Sequence, residues 1–563
     1  ALQKLSNKER DILKTGFHAR KHGDEKKCVN MELNVLMSIE DVTEQVKGAV
    51  KEGMTPEQAF KARRAIIAKI ENESTEKTKL RSNVITLYRG GEYHLYRFKK
   101  YTDVRLVFAP EQQIAFFGGD PDNFEYPRYC LDMTFFRVYE NGKPAKTPNY
   151  LKWRPEGPKK GEVVFVSGNP GSTSRLNTVA ELEYLRDKGY PFVMERIHRL
   201  EVLLSVYSER STENARKAKD YLFGVANARK AYSGRVAGLL DPELMKKKIA
   251  SEKKLRDAVA KDPKLKFAAN AWDVIEKTQK ARAQLIRPYV LYEAGAGFNS
   301  TLFSIARTLY RAAEEKGKPD AERLTEFRSS RLPATEASLF SKAPIYDDFE
   351  ILKLADSLTL LCKEMGFTNK LVQRILAGKS PQARAAELVK GTTVKDVKVR
   401  QQLYKGGKKA IQKSKDPMIA LAKLIDNVAR KVRENYETKV NEPKEQAYAQ
   451  IAKVKYAVEG DKVYPDATFS LRLAFGVVKG YEEGGKHIPY QTVMGGLYER
   501  AQSHNFKEPY HLPERWRAAK DKLDLSTPMN FVCTADIIGG NSGSPVVNSK
   551  GEVVGLIFDG NLA

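Results

Sequence analysis

The sequence predicts an α+β protein in which a β-rich domain is interrupted by a large all-α insertion. Three observations carry this reading. Residues 83–167 contain short runs of β-branched and aromatic residues bounded by turn signals. The long stretch from 176 to 458 has helical spacing almost throughout. A period of two then returns near Ala467. The order β, α, β marks an insertion into one β-domain rather than three domains in series, and 563 residues exceed what a single core usually organises. The expected boundaries are 1–175, 176–458 and 459–563.

The elements follow in chain order. Thr55-Pro56-Glu57-Gln58 has the form of a helix start, with Thr55 as cap, Pro56 in the first turn and Gln58 completing a capping box; the helix then runs through Phe60 to Ile70. Val84–Tyr88 and Tyr93–Phe98 read as a hairpin across Arg89-Gly90-Gly91-Glu92, and Val104–Phe108 and Leu131–Tyr139 continue the sheet. Glu162–Ser167 is a further strand, closed by the turn cluster Gly168-Asn169-Pro170-Gly171. In the helical stretch Asp241-Pro242 is a clear start, and Ile351, Leu354, Ala355, Leu358, Leu361 and Cys362 recur at helical spacing. Beyond it Phe469, Leu471, Leu473 and Phe475 alternate, and Asn530–Thr534, Pro545–Asn548 and Val553–Phe558 are short strands, the last two joined by Ser549-Lys550-Gly551.

A formal net charge of +26 raises the question of nucleic acid. The basic residues are instead spread over amphipathic segments such as Met245–Lys254 and Glu276–Arg287, each with a Glu, as solvated helix faces are. No nucleic-acid partner is expected. No uninterrupted apolar run approaches the roughly 18–20 residues of a membrane span. Cys28, Cys130, Cys362 and Cys533 lie far apart without metal or redox spacing, so neither a metal nor a cofactor is expected; disulfides and free thiols both fit. Ala1–Arg10 lacks the features of a secretory signal.

Gly540-Asn541-Ser542-Gly543-Ser544-Pro545 lies between two expected strands. A tight turn there presents the Ser542 hydroxyl, and glycine two residues earlier lets the N–H groups of Gly540 and Ser542 converge as an oxyanion hole. The hexapeptide has the form found around the nucleophile of chymotrypsin-like peptidases; an α/β-hydrolase elbow would place glycine at 544. Asp132 opens an otherwise apolar strand, where an unpaired carboxylate is costly to bury. In that fold an aspartate so placed orients the catalytic histidine. None of the seven histidines stands in the expected setting: His18 and His22 read as loop, His94 sits in a hairpin strand, and His198, His487, His504 and His511 follow Asp132.

The run Phe117–Tyr129, the closing Gly539–Pro545 and Gly555–Asn561, and the shorter Leu5-Ser6, Ile39–Thr43 and Tyr464–Thr468 resemble signatures of the dipeptidyl-peptidase 7 and 11 family of bacterial serine exopeptidases, closer to the dipeptidyl-peptidase 7 branch. The resemblance spans almost the whole chain. It implies release of dipeptides from free amino termini by a Ser-His-Asp mechanism, within a chymotrypsin-like double β-barrel interrupted by a helical cap. It also implies a periplasmic, surface or secreted location and is compatible with a homodimer. The histidine is implied upstream of Ala1 and further structure beyond Ala563, so the chain as written is expected to lack its general base. By position, Asp559 receives the substrate's α-ammonium group, Asn123 belongs to the same anchor, and Asn227 reaches from the helical cap. Phe124 stands where some relatives carry tryptophan. Gly560 stands where the acidic-preferring branch carries arginine, which implies an apolar or aromatic preference before the scissile bond. The competing expectations are an endopeptidase with the same triad, an acidic-preferring dipeptidyl peptidase, and a basic scaffold without activity.

Overall fold

The structure is a computed structural model and describes residues 6, 11–29, 31–460, 464 and 466–561. Leu5 and Pro465, each part of a run that carried the resemblance, lie outside the described residues. The chain forms two compact units, one of residues 1–34, 100–175 and 466–563, the other of 35–99 and 176–465.

The first unit is built on sheets. Strand Asp103–Ala109 pairs antiparallel with Phe17–His18, Lys26–Lys27 and Phe135–Glu140, and Phe135–Glu140 continues to Lys143–Pro144. A second five-stranded sheet runs in the order Arg472–Val477, Val163–Gly168, Pro545–Asn548, Glu552–Leu556, Lys152–Trp153, with only the last pair parallel. Both paths are open among the described residues, so a mixture of sheet and helix is established where a closed double barrel was expected. Val164, Val166, Val478, Val546 and Val554 form the core under the second sheet. Gln491–Val493 and Pro528–Phe531 pair beside it.

The second unit is mainly helical. Its core gathers Leu302, Phe303, Leu354, Leu358, Leu361, Cys362, Leu388 and Ile425 from successive helices, including Asp347–Met365 with the spacing read from sequence. Asp241 caps the helix Pro242–Lys261 by accepting from the N–H groups of Glu243 and Leu244. Thr55 and Gln58 form the expected capping box, and the helix they start continues to Thr78 rather than stopping at Ile70. This helix packs with a three-stranded sheet, Leu33–Asp41, Glu92–Tyr101 and Arg81–Leu87.

Residues 35–99 therefore group with the helices and not with the β-structure on either side of them. Partly buried polar contacts give the reason. Arg63 Nη1 donates to both Glu442 oxygens at 2.8 and 2.7 Å, the Tyr93 hydroxyl donates to Glu445 at 2.7 Å, and Arg89 reaches Asn177 and lies over the Tyr448 ring. None of these long-range pairs is visible to a local pattern.

Of the alternating residues, Leu473 and Phe475 lie in the strand Arg472–Val477, and Phe469 and Leu471 precede it. Phe469, Leu471, Leu473 and Phe475 are exposed, while Ala474 and Gly476 face the core. A Cβ at Gly476 would lie 2.3 Å from the Ala535 amide nitrogen, so the inward face of this strand admits only the smallest residues. All four cysteines are free, three of them buried. Among the described residues no helix is long and apolar enough to cross a membrane.

Candidate active site

Ser542 sits in a turn that leads into Pro545–Asn548, a strand flanked on both sides in the second sheet of the first unit. The turn is fixed by its backbone. Gly543 N–H donates to Ile557 O at 2.7 Å, Ser544 N–H to Asn541 O at 2.8 Å, and Asn541 N–H to Ile538 O at 3.1 Å. Among the described residues the N–H groups of Gly540 and Ser542 have no protein acceptor. Gly540 has φ +110°, and a Cβ there would lie 2.6 Å from Asn169 O and Gly171 N. The turn cluster Gly168–Gly171 thus packs on the serine turn, with Gly171 N–H donating to Gly539 O at 2.7 Å. Asn541 and Ser544 are buried behind it while Ser542 is exposed.

Asp132 does not lie in a strand. It belongs to Leu131–Thr134, three residues before Phe135–Glu140, and its surface is open to solvent rather than buried within a sheet. The chain leaves sheet pairing here because other groups take its hydrogen bonds: Leu131 N–H donates to Ile114 O, and the Asn530 side chain both accepts from Cys130 N–H at 2.9 Å and donates to Cys130 O at 3.0 Å. Protein crowds the carboxyl group all the same. Burial lifts it above the ordinary aspartate range, with Arg128 opposing the shift and Asp559 adding to it.

Asp559, two residues beyond the acceptor of Gly543, is held by three hydrogen bonds. Its Oδ2 accepts from Phe124 N–H at 3.0 Å and from Arg128 Nη1 at 2.8 Å, and its Oδ1 from Gly560 N–H at 2.9 Å. Phe124 reaches it with φ +61°, a left-handed backbone for a bulky residue, directly after buried Asn123, which ends the short helix Gly119–Asp122. Gly560 follows the strand Glu552–Leu556 and is not part of it; a Cβ there would meet Ile537 Cδ1 at 3.0 Å. Arg128 is the residue that sequence reading passed over, although it stands in the quoted run Phe117–Tyr129; its pairing with Asp559, 431 positions away, has no local signature. Asn227 lies half-buried in the long helix Thr212–Leu240 of the second unit.

The histidines have other environments. His18 is in a strand and not in a loop, edge-on to Phe108, and lines an open recess with Met133 and Phe135. His22 contacts buried Glu25, His94 faces Glu92, His487 faces Glu482, His511 faces Glu508, and His504 stacks on Tyr510. His198 is inside the helix Tyr190–Glu209.

A family model described as Peptidase S46 matches residues 1–563. Among curated proteins, the chain is similar to the Asp/Glu-specific dipeptidyl-peptidase of Shewanella putrefaciens, with 29% identity over 99% of this chain and 82% of that protein. It is similar to dipeptidyl-peptidase 7 of Phocaeicola vulgatus at 28% identity, over 100% of this chain and 81% of that one. Among solved structures, DPP11 of Porphyromonas endodontalis in complex with the dipeptide Arg-Glu matches with a TM-score of 0.78 at 22% identity, covering 99% of this chain and 83% of that one, a likeness of fold.

Proposed function

The chain belongs to the peptidase S46 family, and from that premise we propose that it is a serine exopeptidase releasing dipeptides from free amino termini. The observation that carries this reading is Asp559, a carboxylate fixed by Phe124 N–H, Arg128 and Gly560 N–H, two residues from the carbonyl that anchors the Ser542 turn. A fixed anion on the amino-terminal side of the cleaved bond suits an α-ammonium group and offers nothing to a chain that continues past it.

In this reading Ser542 attacks the scissile carbonyl and the N–H groups of Gly540 and Ser542 receive the oxyanion, each such donor contributing about 2.7–4 kcal/mol. Asp132 orients a histidine base supplied from upstream of Ala1, as the family resemblance implies, within a chymotrypsin-like double barrel. Asn123 and Phe124 complete the substrate contacts. Relatives of both kinds, Asp/Glu-specific and dipeptidyl-peptidase 7, stand at similar identity, 29% and 28%. Gly560 favours the second: it puts no cation where an acidic side chain would need one, so the preference before the scissile bond is apolar or aromatic. A periplasmic or cell-surface site of action goes with the same reading.

The test is labelling by a serine-directed fluorophosphonate, alongside turnover of free-amine dipeptide substrates, in protein extended upstream of Ala1 and in its Ser542→Ala variant. The reading expects both to be lost in the variant, turnover by at least about 10³-fold. Labelling or turnover that survives in folded Ser542→Ala would refute it.

A further inference from the structure

We propose that the recess where the helices Thr212–Leu240 and Pro242–Lys261 meet is a docking surface for an anionic lipid bilayer, a role independent of the exopeptidase reading. A single residue, Asp241, joins the two helices, and its carboxylate accepts from the N–H groups of Glu243 and Leu244 at 2.8 and 3.4 Å. Beside this corner, within the helical unit, lies an open recess of about 480 Å³. Its floor is Leu239 and Met245, which are buried and share a small core with Leu182. Its rim carries Leu240, 64% exposed, and Ile249, 50% exposed, one turn beyond Met245 on the same helix. Single exposed aliphatic residues are ordinary, but two at the rim of an apolar recess make a continuous apolar patch, and such patches mark contact surfaces.

The charges around the patch decide what covers it. Arg186 and Lys246 line the recess, and Lys188 and Lys247 are exposed next to them. The nearby acids are largely committed: Asp241 to the helix start, and Asp187 to Arg186 at 2.6 and 3.0 Å. Glu243 stands 3.9 Å from Lys246 in a solvent-exposed pair, which neutralises little. Among the described residues Lys188 and Lys247 have no carboxylate partner. The corner is therefore cationic around an aliphatic centre. Cores of protein interfaces are rich in aromatic residues and poor in lysine, and single-stranded nucleic acid is held by aromatic stacking. No aromatic side chain lines this recess. Aliphatic side chains that enter the acyl boundary, ringed by lysines whose long stems reach the phosphates, are instead the composition that suits an anionic bilayer surface.

Co-sedimentation of the full chain with vesicles tests this, using vesicles of phosphatidylcholine alone and of equal parts phosphatidylglycerol and phosphatidylcholine. The chain should bind the anionic vesicles at least about tenfold more tightly than the neutral ones, and less tightly as salt rises. Leu240→Ser combined with Ile249→Ser should weaken binding to the anionic vesicles about tenfold or more. Lys246→Gln combined with Lys247→Gln should do the same. The control is Lys405→Gln combined with Lys409→Gln, which removes the same charge from exposed positions on the helix Val397–Lys413 and should change binding by less than about twofold. All six side chains are exposed, and circular dichroism checks that each variant keeps its fold. Equal binding to neutral and anionic vesicles, or none to either, overturns the proposal. So does binding that is untouched by the Leu240 and Ile249 pair, or that falls as much in the control, which would trace it to net charge alone. A concentration-dependent dimer abolished by the Leu240 and Ile249 pair, without vesicle binding, would assign the recess to a second copy of the chain and equally overturn it.

Discussion

Gly560 and His18 are the two residues at which competing readings separate most cleanly. Gly560 has an ordinary backbone, and a Cβ there meets only the flexible end of Ile537, so Gly560→Arg should fold. It should shift the ratio of kcat/KM for glutamate over leucine before the scissile bond by about tenfold or more, as a charge-assisted pair would; assays with paired dipeptide substrates check this. His18 precedes Asp132 in the chain and lines the recess beside Met133. If the base comes from elsewhere, His18→Ala should keep kcat within about twofold, whereas a loss near the 10²–10⁴-fold typical of a removed general base would place the proton transfer on His18. The serine turn was legible at this scale because its constraint is local: Gly540 must be glycine for steric reasons that act within a few residues and on one neighbouring turn. For Asp132 the sequence reading and the structure differ. Its isolation among apolar residues suggested burial in a strand, but the Asn530 side chain draws the chain out of the sheet at Cys130.

At the scale of elements, start signals and spacing carried the reading. The box formed by Thr55 and Gln58 was visible because both partners lie within one turn. Thr55→Ala should cost about 1 kcal/mol, measured as a lower midpoint in urea with an unchanged slope. Helix ends were less legible, since the continuation from Ile70 to Thr78 depends on buried Glu71 and Ser74 meeting Val84 N–H and Ser82 across the unit. The strand Arg472–Val477 illustrates a different limit. Alternation gives the period but not the side, and here the close approach of the Ala535 backbone turns the larger residues outward.

At the scale of the molecule, the β, α, β order was legible from periodicity, but the allegiance of residues 35–99 was not, because it is decided by ion pairs distant in sequence. Glu181 shows how much rests on them. It accepts from Lys444, Arg89, Arg282 and the Tyr448 hydroxyl, and although burial raises its carboxyl, these cations outweigh it and bring the pKa down to about 2. A carboxylate depressed in the folded state contributes stability that is present above its ordinary value of 4.5 and is lost as pH falls through about 2. Acid unfolding of the helical unit should therefore steepen within that window. Glu181→Gln should lower stability at neutral pH by about 3–5 kcal/mol by removing the buried anion that Lys444, Arg89 and Arg282 share, and should flatten the acid transition seen by circular dichroism.

The central claim, that Asp559 anchors a free amino terminus beside the Ser542 turn, is tested most directly by one ratio. It is kcat/KM for a free-amine dipeptide substrate over its amine-acetylated counterpart, in protein extended upstream of Ala1 and in its Asp559→Asn variant. The account predicts a ratio of at least about 10² in the parent, falling by tenfold or more in Asp559→Asn through KM. A ratio near unity in the parent, or one untouched by the substitution in a folded variant, would contradict it.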